Sequence, residues 1–384
     1  MKCRLMYLVG QLGSGGLERQ LYYLLKTIDR DKYRPAVVVW NYHDDDVYVA
    51  PIRALGVPLY RVKEGRRAFR LVELHRLVRT LAPEVIHSFS FYTNVAAWWA
   101  AKATTTIPVG GLRGDFQRAK RESGVLLGRL SARWPRYQIS NNVAGAETIN
   151  RRRSIFAPKA TAIVRNGLDL RAFRSTVLPS GKIHFIGVGS LIAVKRWDRL
   201  LRAAGTLKRQ GFDFQVTIVG GGPLRGALER QAAAIGVAER VQFVGHSENV
   251  SGLLAGASCL VHTSDSEGCP NVVMEAMACA RAVVATDVGD VPHLIDEGKT
   301  GFVVPRDDDA QLADRLLRLI RDRELCRHMG EAGRAKAETE FGLDRLVEQT
   351  LDAYRLAGWD DANSNVNTSN DHIAWEDHSQ IAVR

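Results

Sequence analysis

Cys259-Leu260-Val261-His262, Thr263-Ser264-Asp265-Ser266-Glu267-Gly268-Cys269 and Pro270-Asn271-Val272-Val273-Met274-Glu275-Ala276-Met277-Ala278 read in succession as a strand, a loop and a helix. Pro270 fits the first turn of a helix, where its missing N–H costs nothing. That reading places Glu267 on the loop just before the helix and Glu275 in its second turn. It also directs the N–H groups of residues 271–273 at an anion site.

Outward from this stretch, short β-branched runs alternate with amphipathic helical stretches, the pattern of parallel sheets wound with helices. The first half predicts strands near Arg4–Val9, Ala36–Trp40, Pro58–Val62, Val85–Phe89 and Val109–Leu112. A second series runs Ile183–Val188, Val216–Val219, Val241–Val244, Cys259–His262, Ala282–Ala285 and Gly301–Val304. Leu17, Leu21, Leu24 and Leu25 place one apolar face on the helix after the first strand. Two sheets in series predict two doubly wound, Rossmann-like domains, residues 1–175 and 182–340. Asp169–Gly181, with Pro179-Ser180-Gly181, reads as the linker. A helix over 341–358 is expected to return toward the first domain. Residues 360–384, rich in Asp, Asn, Ser and His, read as a disordered tail.

The 384 residues, 46% hydrophobic and 25% charged, are too apolar for a disordered protein and suit two domains. No apolar run nears the ~18–20 residues of a bilayer span. The start Met1-Lys2-Cys3-Arg4-Leu5 lacks the apolar stretch and cleavage site of a signal peptide, so a cytoplasmic location is expected. Five cysteines, Cys3, Cys259, Cys269, Cys279 and Cys326, form neither a disulfide framework nor a Cys-x-x-Cys zinc pair. The net charge of +11 is uneven: residues 1–174 hold 30 Lys+Arg against 13 Asp+Glu (+17), and the remainder holds 23 against 29 (−6).

In parallel sheets, ligands sit outside the carboxyl ends of strands. After the first strand, Gly10-Gln11-Leu12-Gly13-Ser14-Gly15-Gly16 is suited to bring backbone N–H groups to a phosphate. It matches neither Gly-x-Gly-x-x-Gly nor a P-loop, and a glycine-rich turn without a ligand is the competing reading. In the second half, Gly189-Ser190-Leu191 and Lys195-Arg196 follow Ile183–Val188, and Gly220-Gly221-Gly222-Pro223-Leu224 follows Val216–Val219. Taken singly, Lys195 and Glu275 read as solvated surface; their joint placement after consecutive strands favours a site. Two carboxylates beside an anion site call for hydroxyl partners, since a bare phosphate would repel them. A sugar nucleotide offers diphosphate to Lys195, Arg196 and the helix terminus, and sugar and ribose hydroxyls to the glutamates.

The run Glu267–Ala278 resembles the signature of glycosyltransferase family 4, the retaining transferases of the GT-B fold: two glutamates separated by seven residues, then Ala-Met-Ala. Val164–Asp169, Gly220–Leu224, Phe243-Val244-Gly245-His246 and Ala285–Gly289 also match in order, and Ser14–Arg19 carries a thinner match in the first half. The resemblance implies an α/β GT-B architecture with two facing domains and an interdomain cleft. It implies that Lys195 grips the donor diphosphate, Glu275 binds the ribose and Glu267 contacts the transferred sugar. The backbone of Gly268, Cys269, Pro270 and Asn271 would hold sugar and phosphate, Gly245 and His246 would lie near the base, and Gly13, Gly15 and Gly16 would cover the diphosphate. Three positions depart from the pattern. Ser190 stands where Arg is frequent, with Arg196 as a candidate replacement. Arg113 stands where the acceptor side has histidine. Cys279-Ala280-Arg281-Ala282 stands for Cys-Gly-x-Pro, a change expected to alter only a turn.

The implied activity is hexosyl transfer from a nucleotide sugar to a lipid-linked or polysaccharide acceptor with retention. Charge growing on the leaving phosphate would be met by fixed cations and amides, so metal-independent departure is expected, with Glu267, Lys195 and Arg113 as the catalytic candidates. No cofactor beyond the nucleotide sugar as co-substrate is expected. Asp44-Asp45-Asp46 and Asp307-Asp308-Asp309 offer Asp-x-Asp patterns but read as solvated turns. A nucleotide-sugar epimerase of the same fold and a non-catalytic nucleic-acid binder are the alternatives; the latter leaves the glutamate pair and the glycine turns unexplained. Arg66–Leu71 and Gln117–Trp134 mix basic and apolar residues. In the latter, Arg118, Lys120, Arg121 and Arg129 accompany Val125, Leu126, Leu127, Leu130 and Trp134, which suits a peripheral contact with an anionic inner membrane face.

Overall fold

A computed structural model describes residues 3–63, 65–150 and 155–361. They fall into two α/β units, one of Met1–Gly167 with Leu343–Arg384 and the other of Leu168–Gly342. Of the tail expected over 360–384, all but Asp360 and Asp361 lie outside the described residues.

The first unit holds a parallel sheet of seven strands: β1 Cys3–Val9, β2 Tyr33–Val39, β3 Leu59–Arg61, β4 Val85–Ser88, β5 Ile107–Leu112, β6 Tyr137–Ser140 and β7 Ala160–Ile163, in the order β3-β2-β1-β4-β5-β6-β7. Helices cover both faces of such a sheet, so its central strands are apolar along their length rather than alternating. Six of the seven residues of β1 are buried, whereas edge strand β7 has none buried. The helix Gly16–Thr27 buries Leu21, Leu24 and Leu25. The helix Leu343–Leu356 belongs to this unit, and its Leu346, Leu351 and Tyr354 join Tyr7, Val9 and Leu21 in one core.

The second unit holds β8 Ile183–Val188, β9 Phe214–Val219, β10 Val241–Gly245, β11 Cys259–His262, β12 Ala282–Thr286 and β13 Gly301–Val304, in the order β10-β9-β8-β11-β12-β13. In both sheets the strand order reverses between parallel neighbours, β1/β4 and β8/β11, the switch point at which loops part and leave a crevice. Beneath β8, Trp197 is buried where Gly187 leaves room: a Cβ there would lie 2.5 Å from its ring. Segment 169–181 carries no helix or strand, and Leu168 and Phe173 pack into the second unit.

Several sequence expectations change. β6 and β7 were not predicted, because β6 buries Gln138 and Ser140, whose polarity hides the strand. The stretch Gln117–Trp134 is two helices, Phe116–Glu122 and Val125–Arg133, divided at Gly124, whose φ of 83° suits glycine. Pro270 is the cap residue, and the helix starts at Asn271.

The Cys279–Ala282 departure reaches beyond a turn. Ala280 takes a left-handed φ of 59°, and Arg281 is fully buried. Its guanidinium donates to the carbonyls of Leu254, Ala255 and Val177. The aspartate runs are not simply solvated either. Asp307 and Asp309 pair with Arg199 and Arg202, and Asp308 caps the helix Asp309–Arg321.

Candidate functional site

Lys195 follows β8 and Glu267 follows β11, so the two stand on either side of the second sheet's switch point. Their side chains meet, Lys195 Nζ to Glu267 Oε1 at 2.6 Å. The backbone is stitched to hold them there. Thr263 Oγ1 donates to the Lys195 carbonyl at 2.8 Å, and Asp265 N–H donates to the Val194 carbonyl at 2.8 Å. Trp197 Nε1 donates to the Ser190 carbonyl from below.

Glu267 Oε1 also accepts from Ser264 Oγ at 2.6 Å and lies 3.1 Å from His262 Nε2. Burial by itself would raise this carboxyl. The His262 contact and the Lys195 ammonium outweigh burial and hold it down at about 2. Glu267 is therefore ionised at neutral pH and acts as an acceptor of hydroxyl hydrogen bonds or a partner for developing positive charge. It has no proton to give a leaving group.

Glu275 lies in the helix Asn271–Ala278 and is only 4% exposed, so it is not surface. At that helix's start, Val273 N–H is taken by the Pro270 carbonyl. Cys269 is buried, and its Sγ contacts Met274 Sδ at 3.7 Å. The β12 loop closes on the same backbone. Gly289 has a φ of 53°, and a Cβ on it would lie 2.4 Å from the Glu267 carbonyl oxygen and 2.5 Å from that of Gly268, so glycine is required there. Asp290 N–H donates to the Gly268 carbonyl at 2.9 Å. The glycine turns of β9 and β10 are joined through Gly220 N–H to the Gly245 carbonyl, while Ser190 and His246 stand exposed.

Arg196 is committed elsewhere. Its guanidinium pairs with Asp198 at 3.0 Å and Asp265 at 3.1 Å, and these contacts, Asp198 first, raise its already high pKa. It therefore braces the Asp265 loop. Arg199, which the sequence reading did not single out, is the buried cation of that loop. It pairs with Asp265 and Asp307, each at 2.7 Å, and donates to the Thr263 carbonyl. The sequence signal was a third basic residue one helical turn beyond Lys195-Arg196, facing an aspartate of the glutamate loop.

In the first unit, the loop of Gly13 and Gly15 leads from β1 to a helix starting at Gly16. Leu12 N–H donates to Asp46 Oδ2 at 2.9 Å, and Gly10 N–H to Ser90 Oγ at 3.0 Å. Arg113, at the carboxyl end of β5, lies over the Phe89 ring at 4.7 Å. Burial raises the carboxyl of Glu18, Asp46 adds to the rise and Arg113 opposes it. Glu18 lies within the loop's motif Ser14–Arg19, and sequence spacing alone gives it no role. Among the described residues no group of three or more His, Cys, Asp or Glu is placed to hold a metal ion, and no helix is long and apolar enough to cross a membrane.

Two family models match the chain in succession: "Glycosyl transferase 4-like domain" over residues 15–189 and "Glycosyl transferases group 1" over residues 170–336. N-acetyl-alpha-D-glucosaminyl L-malate synthase of Bacillus anthracis is 30% identical over 181 residues, 47% of this chain and 47% of that protein. Alpha-D-kanosaminyltransferase of Streptomyces kanamyceticus is 29% identical over 314 residues, 80% of this chain and 72% of that protein. The first match thus spans about half of its relative's length. Among solved structures, Anabaena Alr3699/HepE in complex with UDP superposes with a TM-score of 0.78 at 20% identity, over 93% of this chain and 100% of that one. That likeness establishes the fold.

Proposed function

Because the chain belongs to glycosyltransferase family 4, with the GT-B fold, we propose that it moves a hexosyl group from a nucleotide sugar to a lipid-linked or polysaccharide acceptor. Transfer proceeds with retention of anomeric configuration and without a metal. The observation that carries this reading is the Lys195–Glu267 pair across the β8/β11 switch point. An ammonium has three donors, so Lys195 can keep Glu267 and still offer protons to a diphosphate. As the sugar–phosphate bond breaks, negative charge grows on the phosphate oxygens and positive charge on the sugar ring. Lys195 and the amides opening the helix Asn271–Ala278 answer the first, and the Glu267 carboxylate answers the second.

In this reading Glu275 takes the ribose, Gly245 and His246 border the base, and Ser190 and Gly220 approach the diphosphate by backbone. Gly268, Cys269, Pro270 and Asn271 line the sugar, Arg196 and Arg199 hold the loop, and Arg113 serves the acceptor. The Anabaena Alr3699/HepE structure in complex with UDP-glucose makes UDP-glucose the first donor to try. A panel of nucleotide sugars scored for nucleotide release tests the proposal with wild type, Lys195→Ala and Glu267→Ala. Release only by wild type supports it, and equal release by all three removes the site.

The acceptor side carries the basic excess. Val125 and Leu126 are 75% and 72% exposed at the start of the helix Val125–Arg133, beside exposed Arg118, Arg121 and Arg129. The Lys120 ammonium and the Arg129 guanidinium both lie over the Phe156 ring, at 5.6 and 5.5 Å. Apolar side chains within a basic surround suit the headgroup region of an anionic bilayer. This supports peripheral binding at the inner membrane face, where a lipid-linked acceptor would lie.

A further inference from the structure

Glu267 is bonded asymmetrically. Its Oε1 meets Lys195 Nζ, Ser264 Oγ and His262 Nε2, while among the described residues Oε2 accepts nothing. His262 ends β11 at 1% exposure, and its Nδ1 has no hydrogen-bond partner among those residues. An imidazole buried with one nitrogen unsatisfied costs stability, and a leucine would fill a strand end at lower cost. What the imidazole supplies there is the Nε2–H. It lies within reach of both Glu267 Oε1 and, at 3.3 Å, Ser264 Oγ, which in turn donates to the same carboxylate oxygen. Thr286 Oγ1 donates to the Ser264 carbonyl at 2.7 Å and fixes that serine against β12.

We infer that His262, acting with Ser264, is a positioning residue that ties down Glu267 Oε1 so that Oε2 is the oxygen presented to the transferred sugar. This rests on the reading that Glu267 faces that sugar. Lys195 alone would not fix the orientation, because a flexible four-carbon stem can follow either carboxylate oxygen. The imidazole and the hydroxyl are held by a rigid strand and loop, and they pull Oε1 toward β11.

The test uses His262→Leu, which removes the donor, and His262→Gln, whose side-chain amide places an N–H near the position of Nε2. Ser264→Ala is the second point of attack. Unfolding midpoints confirm that each variant folds. In steady-state transfer, His262→Leu lowers kcat roughly tenfold or more, the effect of losing one hydrogen bond to a charged group. His262→Gln restores most of that loss. The dissociation constant of the nucleoside diphosphate alone stays within about twofold, since Lys195 is untouched.

The carboxyl carbon of Glu267, followed by 13C NMR in the unliganded protein, supplies a readout independent of turnover. The titratable groups facing it are Lys195 and His262. Its titration moves to higher pH in His262→Leu and not in His262→Gln. If no nucleotide sugar is turned over while this titration behaves as stated, the transferase reading fails and the positioning role stands. An unmoved titration in His262→Leu, equal losses in the Leu and Gln variants, or a parallel loss of diphosphate affinity overturns the inference.

Discussion

The two units share one sheet order around the switch point, β3-β2-β1-β4 in one and β10-β9-β8-β11 in the other, yet their loops at that point differ in chemistry. In the second, Lys195, Ser264, His262 and Glu267 are already hydrogen-bonded to one another. In the first, the contacts after the strands are backbone N–H groups donating to Asp46 and Ser90, the Ser88–Thr93 hydroxyl pair, and Arg113 resting on Phe89. A group that must stabilise charge on a breaking bond gains from being fixed beforehand, because no reorganisation is then left for the moment of reaction. Under the proposed function, a first unit that received a larger glycan or lipid would have no such requirement. The common topology supplies two crevices, and in the proposed function the side chains after the strands decide which one would do the bond-breaking.

The comparison breaks if donor chemistry survives changes in the second unit. The largest expected effect is on Lys195→Ala and Glu267→Ala, each lowering kcat by roughly 10- to 100-fold, with the double variant little worse than the poorer single one because the two act as a pair. Steady-state nucleotide release measures this.

Next comes Arg113→Ala, expected to raise the acceptor KM severalfold while donor hydrolysis without acceptor is unchanged. Equal loss of both would place Arg113 in donor chemistry.

Stability against acid sharpens the contrast further. The Glu267 carboxyl is held at about 2 in the folded chain against 4.5 ordinarily. Its contribution is therefore present above pH 4.5 and lost as pH falls from 4.5 toward 2, amounting to about 3 kcal/mol. Urea unfolding of wild type loses this stability across that window. Glu267→Gln shows a flatter profile there.

The membrane reading yields a smaller effect. Replacing Val125 and Leu126 with Ser, together with Arg118, Lys120, Arg121 and Arg129, should abolish flotation with anionic liposomes and leave release of nucleotide from free donor unchanged. Unaltered flotation would detach the basic excess from lipid.

The smallest effect is Ala280→Gly, which relieves a left-handed alanine and should stabilise the chain by about 1 kcal/mol in urea titration.

Much of this was legible in the residues themselves. Buried parallel strands are uninterrupted apolar runs, so β1, β8, β11 and β12 stand out along the chain, and Lys195 and Glu267 are conspicuous because each follows such a run. β6 was hidden because Gln138 and Ser140 face inward, Gln138 Nε2 donating to the carbonyls of Ser131, Ala132 and Pro135 and Ser140 Oγ to that of Asn142. The loop contacts of Arg196 and Arg199 were hidden in the sequence for a shared reason. Side chains that brace a loop and those that grip a ligand look alike until the partners Asp198, Asp265 and Asp307 are seen beside them. His262 escaped because a histidine closing an apolar strand carries no motif, and its meaning lies in the carboxylate five residues later.

In the proposed function one ion pair divides the labour, Lys195 for the diphosphate and Glu267 for the sugar. Calorimetric titration of the nucleoside diphosphate and of its nucleotide sugar into wild type, Lys195→Ala and Glu267→Ala addresses it directly. Lys195→Ala is expected to weaken both ligands tenfold or more, while Glu267→Ala weakens the nucleotide sugar and leaves the diphosphate within about twofold. Equal weakening of both ligands by Glu267→Ala, or diphosphate affinity unchanged by Lys195→Ala, would contradict it.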